Sequence, residues 1–309
     1  MTSWLKRNLI VIIAVVTILL STIMLLFNIF PIVRNITTAV TLGAKPPNKA
    51  FPGCNGINLL LLGRDVDRDK QGRITKSLGR TDTIVLTRFD FRDKSLRMLW
   101  IPRDILVEVP GYPRERRINT ANKLGGPKLA QKTVFKLLNV EINHYILVNF
   151  QGFEKLIDSL GGVRVNVDKA LDYDDNAGNL HIHLKPGIQV LNGRQAIEFV
   201  RYRRGYNDPG ESYTQRIYRQ KELIFSILEK LLHPLIIIRI PRALSIARGS
   251  MEMDLTPGQV LCLIRFVSSM QSSNIRMDTL PADFEDEGLA YLRMDNTRAR
   301  KVVKEMFVD

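Results

Sequence analysis

The feature that most constrains this chain is an apolar run near its start, "LIVIIAVVTILLSTIMLLFNIF", from Leu9 to Phe30. It holds no charged residue, and only Thr17, Ser21, Thr22 and Asn28 interrupt it with polar groups. As a helix rising 1.5 Å per residue it would be about 33 Å long, enough to cross a hydrocarbon layer of about 30 Å. It is longer than the apolar part of a cleaved signal peptide, and "FPIVRN" at its exit is a poor cleavage site. The reading is an uncleaved anchor. Lys6 and Arg7 flank it on the short leading side, which predicts residues 1–8 in the cytoplasm and everything after Pro31 outside.

That placement bears on the charge. The 309 residues carry a net charge of +14, which calls for an acidic partner: nucleic acid, an anionic membrane face or a phosphorylated substrate. A domain outside the cytoplasm does not meet genomic nucleic acid, and no helix-turn-helix pattern is visible, so no nucleic-acid partner is expected. Cys54 and Cys262 are the two cysteines. Cys262, inside "VLCLIRFV", reads as a small core residue rather than half of a disulfide.

Residues 31–56 are rich in Thr, Gly and Pro and read as a stalk, leaving 57–309 as one domain. "INLLLLG" (Ile57–Gly63) is a continuous apolar run, as in a strand buried on both faces. "TIVLTRFDF" and "SLRMLWIP", joined by "RDK", read as a hairpin. "GGPKLAQKTVFKLLNV" has helical spacing, "HYILVNF" is a strand, and "QGFEKLIDSL" is a helix stopped by Gly161-Gly162. "VRVNV" is a strand and "GRQAIEFV" a short helix. Ile217, Leu223, Ile224, Ile227, Leu228 and Leu231 mark a long helix from Ser212 to about Leu232, and Thr256-Pro257 starts another. Strands and helices alternate, which predicts an α/β domain with helices on both sides of a sheet.

Two clusters suggest chemistry. The stretch "RYRRGYNDPGESYTQRIYRQ" (Arg201–Gln220) has five arginines and no lysine. Arginine's planar fork grips phosphate oxygens bidentately, as lysine does not. If "FVRYR" is extended, Arg201 and Arg203 share a face. If the later part is helical, Arg216 and Gln220 share one, while Arg204 and Arg219 point elsewhere and should tolerate Lys. Such a set suits a diphosphate. The second cluster is acidic. Asp65 follows one strand and Asp82 stands just before the next, where two carboxylates can hold Mg²⁺. "WIPRD" adds Arg103 and Asp104 at a third strand end. His181 and His183 share a face if "LHIHL" is a strand, but no third zinc ligand stands at a suitable spacing.

"LLLGRD", "GRTDTIVL", "WIPRDILVEVPG", "RINTANKLGG", "HYILVNFQGFEKLIDSLGGV" and "AIEFVRYR…RIYRQ" occur in the order and spacing of the LytR–CpsA–Psr family, which residues 56–220 resemble most. The resemblance implies a single α-β-α sandwich domain behind one transmembrane helix. It implies a cell-membrane, single-pass phosphotransferase that moves a glycopolymer from a polyprenyl diphosphate carrier onto peptidoglycan and releases polyprenyl phosphate. It places Mg²⁺ on Asp65 and Asp82, and the diphosphate on Arg80, Arg103, Arg201, Arg203, Arg216 and Gln220. Asp82 and Asp104 are the alternatives for a base, with Arg103 beside them. A diphosphatase using water at the same site is one alternative function. A non-catalytic glycolipid binder is another, since Tyr213 stands where the family usually has Asp, with Glu211 close by.

Overall fold

The structure is a computed structural model. It describes residues 45–64, 77–176, 180–202, 213–233, 236, 239–284 and 291–307. Leu9–Phe30, Asp65, Arg203, Arg204 and Glu211 lie outside them. Among the described residues no helix is long and apolar enough to cross a membrane.

A helical turn, α1 (Pro47–Ala50), leads to strands β1 (Gly56–Arg64), β2 (Thr81–Asp90) and β3 (Ser95–Trp100). Short strands β4 (Leu106–Val107) and β5 (Arg116–Arg117) precede helix α2 (Thr120–Leu138). Next come β6 (His144–Asn149), α3 (Phe150–Leu160), β7 (Val163–Val167), β8 (Leu171–Asp175), β9 (Leu180–Leu184) and β10 (Gly187–Leu191). Helices α4 (Gly193–Arg201), α5 (Tyr213–Leu232) and α6 (Ile240–Ser250) follow, then β11 (Met251–Met253) and α7 (Pro257–Ser268). The chain closes with β12 (Ile275–Thr279), β13 (Ala282–Phe284), β14 (Leu292–Met294) and α8 (Asn296–Phe307).

The main sheet runs β11-β6-β1-β2-β3-β12. Strand β1 pairs parallel with β6 and antiparallel with β2, and β12 pairs parallel with β3. The apolar run of β1 is buried on both faces, as its composition requires. Leu60 and Leu62 join Ile84, Leu86 and Leu99 under α2 and α8. Ile57 and Leu59 join Val85, Met98 and Trp100 on the other face, under α5 and α7. The result is the expected helix–sheet–helix sandwich. Both cysteines are free thiols, and Cys262 is a core residue.

Local chemistry sets the boundaries. The β2–β3 turn carries Lys94 at φ 49°, and the buried Asp90 carboxylate accepts from the Arg92 and Asp93 amides. Gly161, at φ 77°, ends α3 in a left-handed conformation that costs glycine little. Thr256 and Gln259 form a capping box ahead of Pro257. The α2 pattern is less regular than its sequence spacing predicts. Gly125 and Gly126 leave helical geometry, so the helix proper restarts at Pro127.

Candidate active site

The site is built at one end of the sheet. Arg64 at the end of β1 pairs with Thr81 of β2 and with Asn149 of β6. Trp100, the last residue of β3, pairs with Val85, so "IPRD" emerges at the same end. The carboxyl ends of β1, β3 and β6 therefore converge, the place where open α/β sheets usually bind ligands.

A cleft of about 200 Å³ opens there, lined by residues that include Asp82, Asp175, Arg201, Arg216 and Gln220. Arg103 reaches it through Asp82, with Nη1 2.8 Å from Oδ2. Its Nε donates to Asp104 Oδ2 at 3.1 Å. Burial pushes the Arg103 pKa down, but Asp82 and Asp104 outweigh that and hold it above the usual guanidinium range. Asp104 also faces Arg117, Nη1 to Oδ1 at 3.6 Å, and the Arg117 guanidinium lies 4.8 Å over the Tyr291 ring.

Arg201 is not on a strand. It is the last residue of α4, which starts at the Asn192–Gln195 capping box and closes with the Tyr202 amide donating to Glu198 O. Its guanidinium lies 4.9 Å over the ring of Phe150, the first residue of α3. Phe150 thus lines the cleft beside Arg201, while the Asn149 side chain caps the amino end of α3 by accepting from the Gly152 amide. Helix α4 is held against α3, where Gly193 sits so close that a Cβ would lie 2.1 Å from the Glu154 carbonyl oxygen.

Arg216 and Gln220 come to the cleft from one face of α5, as their spacing predicts. Arg219 differs from its expectation. It is off that face, but it is only 2% exposed rather than solvated. Its Nε donates to Phe199 O at 2.9 Å and its Nη2 to Tyr202 O at 2.8 Å. Arg219 is therefore a poor neutral control. Arg80 is exposed beside the start of β2.

Several contributors escape sequence reasoning. Tyr173 and Asp175 alternate on the inward face of β8 and line the cleft. Strand alternation is the signal that pairs them. Asn122, fully buried, donates to Leu78 O and Gly79 O, both at 2.9 Å. Asn119 accepts from the Thr81 amide and donates its own amide to Arg103 O. The "RINTAN" segment thus clamps the segment bearing Arg80 and Asp82 to the Arg103 loop.

The outward face of the β8–β9 hairpin carries His181 and His183. They pair with Asp174 and Asp172, each at 2.5 Å. Among the described residues no group of three or more His, Cys, Asp or Glu is arranged to hold a metal. Of the expected pair, Asp82 lines the cleft and presents carboxylate oxygens of the kind Mg²⁺ takes beside phosphates. Its expected partner Asp65 lies outside the described residues.

The fold and site define a mixed α/β sandwich with an arginine-lined cleft at its strand ends. Residues 34–307 match the LytR_cpsA_psr family, and the chain belongs to it. Regulatory protein MsrR of Staphylococcus aureus is 34% identical over 201 residues, covering 64% of this chain and 56% of that protein. The chain therefore spans little more than half the length of that relative. The polyisoprenyl-teichoic acid–peptidoglycan teichoic acid transferase TagU of Enterococcus faecalis is 29% identical, over 81% of this chain and 78% of that protein. The crystal structure of Bacillus subtilis TagV superposes with a TM-score of 0.68 at 26% identity, covering 82% of this chain and 97% of that one. TagT bound to LI-WTA superposes with a TM-score of 0.60 at 26% identity, covering 82% and 90%.

Proposed function

We propose that this chain is a membrane-anchored phosphotransferase that moves a glycopolymer from a polyprenyl diphosphate carrier onto peptidoglycan. The observation that carries the reading is the convergence of Asp82, Arg201, Arg216 and Gln220 on one cleft, with Arg103 bound to Asp82. The transferases among its relatives support the choice of substrate class. In this reading an acceptor sugar hydroxyl attacks the glycan-side phosphorus. A new P–O bond forms, the bond to the bridging oxygen breaks, and polyprenyl phosphate leaves with that electron pair.

The guanidinium groups hold the donor's phosphate oxygens and offset the charge that develops on the leaving oxygen, the main demand of phosphoryl transfer. Arg103, fixed by two carboxylates, is oriented before the donor arrives. Two carboxylates line the cleft, Asp82 and Asp175, and the proton of the attacking hydroxyl goes to one of them. Asp104 lies behind Arg103 and orients it. Asp65 and Asp82 would hold Mg²⁺, which when bound supplies further charge neutralisation at the diphosphate. Arg80 and Arg203 would complete the diphosphate's shell.

Lys6, Arg7 and the apolar run support a domain outside the cytoplasm, and an export-dependent reporter fused after Asp309 should be active. The site itself is tested by Arg201→Lys and Arg216→Lys, which keep charge and remove the fork. Binding of a short-chain polyprenyl diphosphate sugar should weaken at least about tenfold in each. Unchanged binding in both variants would reduce the stretch to a basic face.

A further inference from the structure

We propose that Arg219 is a positioning residue that sets the spacing between Arg201 and Arg216. A helix leaves its last four carbonyls without intrahelical donors. At the end of α4, Arg219 takes one of them, Phe199 O at 2.9 Å, together with the carbonyl of the cap residue, Tyr202 O at 2.8 Å. Its guanidinium also lies 5.3 Å over the Tyr202 ring and 6.0 Å over that of Phe199. One rigid plane thus ties α5 to the last turn of α4. Arg201 belongs to that turn, and Arg216 precedes Arg219 by three residues on α5. Both side chains line the cleft. A cation at a helix carboxyl end also complements the negative end of the dipole.

A buried arginine that only filled space would not need two directed donors on the same turn. Lysine carries all three of its donors on one nitrogen, with no second nitrogen to stand where Nε does, so it cannot keep both bonds in their present geometry, and the α4 turn would loosen while the charge remained. The effect on donor binding rests on the function proposed above. The effect on the α4 turn does not.

The test compares the full-length chain in detergent with Arg219→Lys, Arg219→Met and the exposed control Arg242→Met. Hydrogen exchange at 198–202 should speed up about tenfold in Arg219→Lys, with β1 amides unchanged. Affinity for inorganic diphosphate and for a short-chain polyprenyl diphosphate should fall about tenfold at a temperature well below melting. On an Arg201→Ala background, Arg219→Lys should weaken binding by less than about twofold more, because the group it positions is gone. The Arg242→Met control, on α6, should match the parent. Unchanged exchange at 198–202 in the folded Lys variant, or equal acceleration throughout the domain, would overturn the proposal. So would full additivity with Arg201→Ala. If the parent binds neither diphosphate, the functional reading fails, and exchange still decides whether Arg219 fixes the turn.

Discussion

Replacing Asn122 with alanine removes two hydrogen bonds, to Leu78 O and Gly79 O, both 2.9 Å long. The Gly79 bond is fully buried and the Leu78 bond only partly so. Water can replace the second donor but not the first. A buried carbonyl left without a partner costs about 1–3 kcal/mol, and a replaceable bond about 0.5–1.5 kcal/mol. The sum is about 2–4 kcal/mol, which for a domain of this size lowers Tm by roughly 5–15 °C. The loss is also directional. The freed carbonyls belong to the residues just before Arg80, and Asp82, the second residue of β2, follows Arg80 by two. Calorimetry of the full-length chain and diphosphate titration at 20 °C measure the two consequences. Both Tm and affinity should fall in Asn122→Ala. Asn122→Asp, which turns a carboxylate toward two carbonyls, should be worse at pH 8 and should recover as the pH is lowered. An Asn122→Ala protein that melts within about 1 °C of the parent, or melts lower with unaltered affinity, would refute the clamp.

Asp82→Ala should abolish transfer while shifting Tm little, since this carboxylate lies at the cleft rather than in the core. A melting loss matching the activity loss would count against a role at the phosphates. Arg103→Lys cannot span Asp82 and Asp104 together and should lower kcat/KM about 100-fold, read by steady-state kinetics. Asp175→Asn should reduce turnover with little change in donor affinity, and equal loss in both would make it a binding group. The His183 ring is hydrogen-bonded to Asp172, which raises its pKa above the ordinary value, while hydrogen bonding from His181 lowers that of Asp174. The His183 contribution to stability is thus complete below the ordinary histidine pKa and fades as the pH rises through its raised value. An NMR titration should show that raised midpoint, and Asp172→Asn should return it toward normal.

Much of this architecture is legible in the sequence because it rests on patterns that apolar periodicity reports. The run Ile57–Gly63 has the short, unbroken apolar character of a strand covered on both faces, and Gly161-Gly162 stops a helix for a steric reason. Arg216 and Gln220 share a face through helical spacing alone. Arg219 is not legible in that way. Periodicity assigns an arginine off the apolar face to solvent, and the two carbonyls that let it be buried lie 20 and 17 residues earlier in the chain. Arg201 is misjudged for a related reason, since "FVRYR" alternates like a strand while the helix that starts at the Asn192–Gln195 capping box runs on to Arg201. Short pairings such as Leu106–Val107 with Arg116–Arg117 are below the length at which alternation shows. Asn122 has no periodic signature, because its role depends on two backbone carbonyls more than forty residues away.

The central claim is that the cleft transfers a glycan phosphate to another sugar rather than to water. The direct measurement incubates the full-length chain with a short-chain polyprenyl diphosphate glycan, labelled in the glycan, and with purified peptidoglycan, and follows both products by mass spectrometry. The account predicts label joined to peptidoglycan through one phosphate, with an equal amount of polyprenyl monophosphate released. Free glycan phosphate with unlabelled peptidoglycan would show a diphosphatase instead, and an intact donor that binds without turnover would contradict catalysis altogether.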